Sequence, residues 1–220
     1  MEVMVKKFYV SLFITVFFIS ASAQAKPYEE TAQHVQNTLM CTKEQAFHFM
    51  SYIKRFMEEV ENNFSTIASE KKSDTEKRQL ISTTIYKHFQ KPTSTVQVSS
   101  LTRDYIKSYP VREYLEHLLN LSKTHYTQVK LYFKPDYLSM GTIHPYYDPV
   151  YGKCFEFIIA IWQIFIGDTT DNRPPYYDAT QKNFILMFHK DKNSEYWTLK
   201  IKSIFAKETI TLVKYRRTVR

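Results

Sequence analysis

From Thr42 to about Ala68 the apolar residues fall at Ala46, Phe49, Met50, Ile53, Phe56, Met57, Val60 and Phe64. Steps of three and four put them on one side of a helix, so the spacing predicts a long amphipathic helix with one buried face. Ser73, Asp74, Thr75 and Glu76 are residue types of a helix start, and Leu80, Ile81, Ile85 and Phe89 form the inner stripe of a second helix ending near Pro92. A third helix fits Tyr109 to Leu121, with Pro110 in its first turn and Tyr114, Leu115, Leu118 and Leu121 as its stripe. After His125 the period changes. Thr127, Val129, Leu131 and Phe133 alternate with Gln128, Lys130, Tyr132 and Lys134, which predicts a half-buried strand. Lys153 to Ile166 is apolar at both parities and reads as a long central strand covered on both faces. Asn183 to His189 is another strand, Asp191 to Ser194 a turn, and Trp197 to Lys202 alternates again. Ser94 to Leu101 supplies one further short strand.

Helices grouped ahead of a run of strands predict an α+β fold, with the N-terminal helices packed in the concavity of a curved antiparallel sheet. The parity of the last strand makes Trp197, Leu199 and Ile201 its buried set, with Trp197 expected under the first helix near Phe49, Ile53 or Phe56. Residues 26–41 show no clear period and read as a linker with some mobility, 42–212 as a single domain, and 213–220 as a basic tail.

Composition and charge matter most at the ends. Lys6 and Lys7, an apolar run of thirteen from Phe8 to Ser20, and the small residues around Ala21 to Ala25 have the three-part form of an export signal. A membrane span needs roughly 20 apolar residues, and no later stretch supplies them. Residues 1–25 therefore read as a cleaved signal peptide, and the remainder as periplasmic or secreted with no membrane span. Cleavage after Ala23 removes Glu2, Lys6 and Lys7, taking the formal charge from +8 to +7. The positives are interleaved with acids, as at Glu70, Lys71, Lys72, Asp74, Glu76 and Lys77, so they form no nucleic-acid track, and export argues against such a partner as well. Tyr (17) and Phe (16) are abundant against three glycines, which suits a sheet-rich core and excludes a disordered chain. Cys41 and Cys154 are a candidate disulfide in an oxidising compartment, with two separate buried thiols as the alternative.

The layout resembles the NTF2-like, cystatin-related α+β cone superfamily. Val96-Gln97-Val98-Ser99-Ser100-Leu101 running into Tyr109 to Leu115, and Tyr177 to Lys182 followed by Trp197 to Glu208, look closer still to exported, uncharacterised members of Bacteroidetes type. The resemblance covers roughly 42–210. It implies long helices lying in a bent sheet. Enzymes of that superfamily place a carboxylate and a Tyr or His inside the cone, yet no motif here matches one to which such roles could be transferred.

Candidate chemistry is sparse. The seven histidines form no HExxH and no pairing with a cysteine at metal-binding spacing, so no metal or other cofactor is expected. There is no GxSxG and no phosphate-cradling glycine loop. Glu156 shares parity with Ile158, Trp162 and Ile164, and burial on that face would raise its pKa into a range useful for proton transfer. His189 could line the same concavity, whereas Gln163 has the opposite parity and would join them only through a bulge. The sequence PYYD occurs at Pro145–Asp148 and again at Pro175–Asp178. The two copies flank the long strand and belong at opposite rims, so they read as turns entering strands rather than as a joint clamp. Their tyrosines, Tyr146, Tyr147, Tyr176 and Tyr177, remain candidate adhesive residues.

The sequence thus favours an exported non-enzymatic module that engages an envelope protein, a glycan or a small apolar ligand, with a homo-oligomer among the expected states. The alternative is a cone-pocket enzyme using Glu156 for general acid/base proton transfer. N-terminal sequencing of exported material is expected to begin at Gln24 or Lys26; an intact Met1 on soluble cytoplasmic protein would overturn the export reading.

Overall fold

The computed structural model describes residues 29–101, 103–124, 126–169, 175–190 and 197–211. The signal segment 1–25, the turn at 191–194 and the basic tail 213–220 lie outside the described residues. The chain divides into two compact units, Met1–Met50 and Ser51–Arg220.

In the first unit, the stretch that shows no period in the sequence contains a helix, α1, over 29–39. It ends on Met40, which adopts a left-handed φ of 51°. The Cys41 N–H then returns to the Gln36 carbonyl at 3.2 Å, the long bond of a Schellman end. The next helix opens on a reciprocal cap: the Thr42 N–H donates to Gln45 Oε1 at 2.9 Å, and the Gln45 N–H donates to Thr42 Oγ1 at 3.2 Å. This helix, α2, is Lys43–Ala68 and carries the chain into the second unit. Every position of its predicted stripe, from Ala46 to Phe64, is buried.

In the second unit α3 is Asp74–His88, started by the capping box of Ser73 and Glu76. Hydrogen bonds from Ser73 hold the exposed Glu76 carboxyl down at about 2. Strands β1 (Thr95–Ser100) and β2 (Arg103–Pro110) form a hairpin, followed by α4 (Val111–Thr124). Strand β2 has no signature in the sequence. Pro110, expected inside the helix, instead ends β2 opposite Thr95. This is an outer strand of the sheet, where a proline's missing N–H is tolerated. The remaining strands are β3 (Tyr126–Met140), β4 (His144–Asp148), β5 (Gly152–Thr169), β6 (Tyr176–Lys190) and β7 (Trp197–Thr211).

The sheet runs β2-β1-β7-β6-β5-β3, with β4 also on β5. All pairs are antiparallel except a short parallel junction of β1 with β7 at Thr95 and Val96. The result is the expected α+β plan of helices against a large curved sheet. Bulges in the β6–β7 ladder, between Thr180 and Lys182 and between Ile185 and Leu186, add local twist and bend.

The β5–β6 ladder runs without a shift from Cys154 opposite His189 to Gly167 opposite Tyr176. Alternation therefore assigns each side chain to one face. Phe157, Ile159, Ile161, Leu186 and Phe184 lie on the inner face and are buried. Phe64 of α2 reaches that face, its ring against those of Phe89, Tyr114 and Phe133, and Phe133 meets Phe184 at 5.5 Å. On the outer face Ile158 is 38% exposed. The central strand is thus not covered on both faces along its length: on the outer face Cys154 is buried, whereas Ile158 meets solvent. The edge at β3 is also protected: the Ser65 hydroxyl donates to the Leu131 carbonyl, and the Phe133 backbone bonds Glu61, whose pKa burial raises.

Trp197 departs from expectation. Leu199 and Ile201 are buried as predicted, but Trp197 pairs with Lys190 at the end of the ladder and is 38% exposed. Its ring stacks on Phe188 at 4.3 Å and lies 5.8 Å from Phe155, with the ladder's end leaving one side to solvent. At the other end of β5, Gly167 accommodates the ring of Tyr126: an added Cβ would fall 2.5 Å from Tyr126 Cδ1. At Gly141 the same addition meets only Ile158, with Cβ at an ordinary 3.6 Å. Gly167→Ala is expected to cost about 1–3 kcal/mol as an overpacking change, and Gly141→Ala to stay within about 0.5 kcal/mol. Denaturant unfolding of both variants checks this, and equal effects would refute the close approach.

Candidate functional site

The inner face changes character towards one end of β5 and β6. Where the parity calls for apolar side chains, β6 carries Asp178, Thr180 and Lys182, and β5 carries Gln163, all buried. Gln163 lies opposite Thr180, and Ile161 opposite Lys182. Helix α4 brings Tyr114 over them. The Gln163 side chain hydrogen-bonds the Tyr114 hydroxyl, and burial drives the tyrosine pKa well above its ordinary value. Lys182 Nζ lies 5.7 Å from the centre of the Tyr114 ring and donates to the Gln97 carbonyl at 2.7 Å. Tyr176 donates its hydroxyl proton to Asp178 Oδ2 at 2.8 Å.

The ionisation of this cluster follows from its burial. Desolvation raises the Asp178 pKa, opposed by the Tyr176 hydroxyl and the charge of Lys182. Desolvation brings Lys182 down to about 8, opposed by Asp178. Tyr176 is pushed up to about 12, first by burial and then by the Asp178 charge. Acid and base are thus moved towards each other, the direction that equips a site for proton transfer and that also accompanies buried structural networks.

A second feature is an open groove of about 470 Å³ between the C-terminal part of α2 and β3. Its lining includes Asn62, Thr66, Lys71, Gln128, Lys130 and Tyr132. It combines amides, hydroxyls, two cations, the carboxylate of Glu70 and an aromatic residue.

The residues singled out from sequence are dispersed. Glu156 is on the outer face, half-buried, in an ion pair with Lys202. Gln163 is on the inner face, and no bulge in the β5–β6 ladder brings it to Glu156. His189 shares the outer face with Glu156, not the concavity, and is buried opposite Cys154 with the Tyr151 ring 4.4 Å away. Cys41 and Cys154 are free thiols, so the candidate disulfide is not formed.

The two PYYD copies lie at opposite ends of β5, Tyr146 opposite Cys154 and Tyr176 opposite Gly167. Neither copy is simply a turn. The first forms β4, and only its Asp148 makes the turn, accepting from the Val150 and Tyr151 N–H groups at 2.8 and 3.1 Å ahead of Gly152 at φ 78°. Tyr146 is half-buried under the Lys202 ammonium, 4.7 Å from its ring centre, whereas Tyr147 is 75% exposed. In the second copy Tyr176, Tyr177 and Asp178 already belong to β6, and Tyr176 packs on Tyr126 and Phe165.

Sequence reasoning passed over Asp178 and Lys182 because it began the strand at Asn183. Extending the even parity of Phe184 and Leu186 backwards reaches both residues. Among the described residues no three His, Cys, Asp or Glu converge as a metal site, and no helix is long and apolar enough to cross a membrane.

No protein-family model matches the chain, and no curated protein matches it. Among solved structures it is similar to one described as a "Putative Scytalone Dehydratase" from Novosphingobium aromaticivorans, with 12% identity, a TM-score of 0.43, and coverage of 78% of this chain and 93% of that one.

Lys182 yields a signed prediction. Its folded pKa of about 8 lies below the ordinary lysine value of 10.5, so the unfolded chain holds its proton more tightly. Stability from this group rises as pH rises from about 8 to 10.5 and is lost on the way down. The stability difference between wild type and Lys182→Met is expected to shift by up to about 3 kcal/mol across that window in favour of wild type. Denaturant titrations of both at each pH check this; a flat difference would show that the Lys182 ammonium is not desolvated by the fold.

Proposed function

We propose that this chain is an exported NTF2-like module that binds an oligosaccharide of the cell envelope and performs no chemistry. The observation that carries the reading is where space remains. The inner face is occupied by the rings of Phe64, Phe89, Tyr114, Phe133 and Phe184, whereas the groove between α2 and β3 is open and of ligand size. Asn62 and Gln128 supply amides that both donate and accept, Thr66 a hydroxyl, and Tyr132, on an outward-facing, exposed position of β3 level with Ile164, a ring beside the groove on which a sugar face can lie. Lys71 and Lys130 outnumber the one carboxylate of the lining, Glu70, and so favour an acidic sugar.

A second reading has its own support: a proton-transfer enzyme that uses Asp178 and Lys182 on the inner face. Glu156 does not serve in it, since its carboxylate is engaged by Lys202 on the other face.

An array of neutral and uronate-containing oligosaccharides, probed with the full chain, tests the first reading. Retention of an acidic saccharide, lost by at least about tenfold in Tyr132→Ala or Gln128→Ala and kept in Asp178→Asn, is the expected result. Failure of the wild type to retain any saccharide, or equal retention by the groove variants, would overturn it.

A further inference from the structure

We infer that the backbone edge of β3 selects the sugar: the groove takes an N-acetylated hexosamine, whose acetamido group lies between the Val129 N–H and the α2 wall. This specificity rests on the groove being the saccharide site.

Among the described residues β3 ends the order of the sheet, so one side of its backbone pairs with β5 and the other is left to α2. Contacts from α2 identify the residues on that second side. The Ser65 hydroxyl donates to the Leu131 carbonyl, and the Phe133 N–H donates to the Glu61 carboxylate. In an antiparallel strand the N–H and C=O of one residue point the same way, and those of the next residue point oppositely. Pairing with β5 runs without a shift from Gln128 to Pro135. Val129, Leu131, Phe133 and Pro135 therefore turn their backbone groups away from β5, while Gln128, Lys130 and Tyr132 use theirs within the ladder. Pro135, which has no N–H to give, falls in the set where β5 needs none.

The helix keeps step with this edge and then stops. Four helical residues rise about 6 Å and two strand residues about 6.8 Å. Glu61, Ser65 and Ser69 thus fall level with Phe133, Leu131 and Val129 in turn. Helix α2 ends at Ala68, however, and Ser69 turns its hydroxyl back to the Thr66 carbonyl at 3.0 Å. The third stitch is not made. Val129 N–H and C=O and Leu131 N–H accordingly face the groove, which both residues line.

One open ladder step decides the ligand's chemistry. A docked peptide strand needs several such steps, whereas a single amide needs one. A secondary amide is planar and trans, with its C=O and N–H on opposite sides. Laid across the groove, its C=O accepts the Val129 N–H, and its N–H meets the α2 wall, where Thr66 and Asn62 supply acceptor oxygens. The Val129 C=O is left for a ring hydroxyl. Lys71 and Lys130 then serve the carboxylate of an adjoining uronate. A 2-acetamido hexose beside a uronate carries all of these groups.

Calorimetry of the full chain with two tetrasaccharides matched in length and charge tests the inference: glucuronate alternating with N-acetylglucosamine, and glucuronate alternating with glucose. The acetamido form is expected to bind at least about tenfold tighter. Its binding is also expected to slow hydrogen exchange at the Val129 amide, which is fast in the free chain, whereas the Lys130 and Tyr132 amides are slow in both states. Thr66→Val combined with Asn62→Leu is expected to reduce the preference to below about threefold, a ratio read within one protein and so insensitive to a general loss of affinity. Equal affinity of wild type for the two sugars would overturn the inference and leave the saccharide site standing; binding of neither would overturn both. An undiminished preference in the double variant, a Val129 amide already slow in the free chain, an acetamido preference without slowing at Val129, or capture of a capped acidic tripeptide ahead of both sugars would each overturn the inference.

Discussion

The unbroken pairing of β5 with β6 governs the second unit. Because side chains alternate strictly, a ladder without a shift from Cys154 to Gly167 divides both strands into an inner and an outer set with no freedom to exchange members. The inner set receives Phe64 from α2 and Tyr114 from α4; the outer set is buried at Cys154, Met187, His189 and Ala179 and opens to solvent at Ile158. The separation of Glu156 from Gln163, the exposure of Ile158 and the convergence of Asp178, Thr180 and Lys182 are consequences of that one register. A single-residue slip would exchange the two sets and place ionisable groups where the rings now pack.

Burial of Lys182 and Asp178 within this scheme has an energetic meaning. A desolvated ammonium or carboxylate is costly unless partners compensate it. Here the Gln97 carbonyl, the Tyr114 ring and the Tyr176 hydroxyl are arranged around the two ionisable groups. Bulges beside them let β7 continue past Lys182 with Ala206 opposite, a small residue next to a long buried side chain. The cluster therefore depends on β1, β6, β7 and α4 together. No single strand could sustain it.

The repeated PYYD shows how little a short motif carries without its surroundings. Asp148 meets N–H groups of the adjoining turn and is used to reverse the chain, with Gly152 supplying the left-handed φ. Asp178 meets a tyrosine hydroxyl on its own strand and lies buried. The four letters are the same, and the downstream chain makes the difference: a short loop in one case, an inward-facing parity in the other.

Local patterns in the sequence determined the elements whose stability is itself local or periodic. The stripe of α2, the Ser73 capping box, the alternation of β3 and the paired faces at Leu199 and Ile201 were legible because helix and strand periods are written directly in residue spacing. Strand β2 was not legible, since its pairing with β1 and not its own composition makes it a strand. The same holds for α1, whose sequence shows no clear period. Tertiary structure alone decided that Trp197 ends its ladder part-exposed, that Glu156 faces Lys202 outside the concavity, and that Lys182 lies beneath Tyr114. Each depends on which distant segment arrives at a given face, and that is set by sheet register and helix placement, quantities that no window of neighbouring residues encodes.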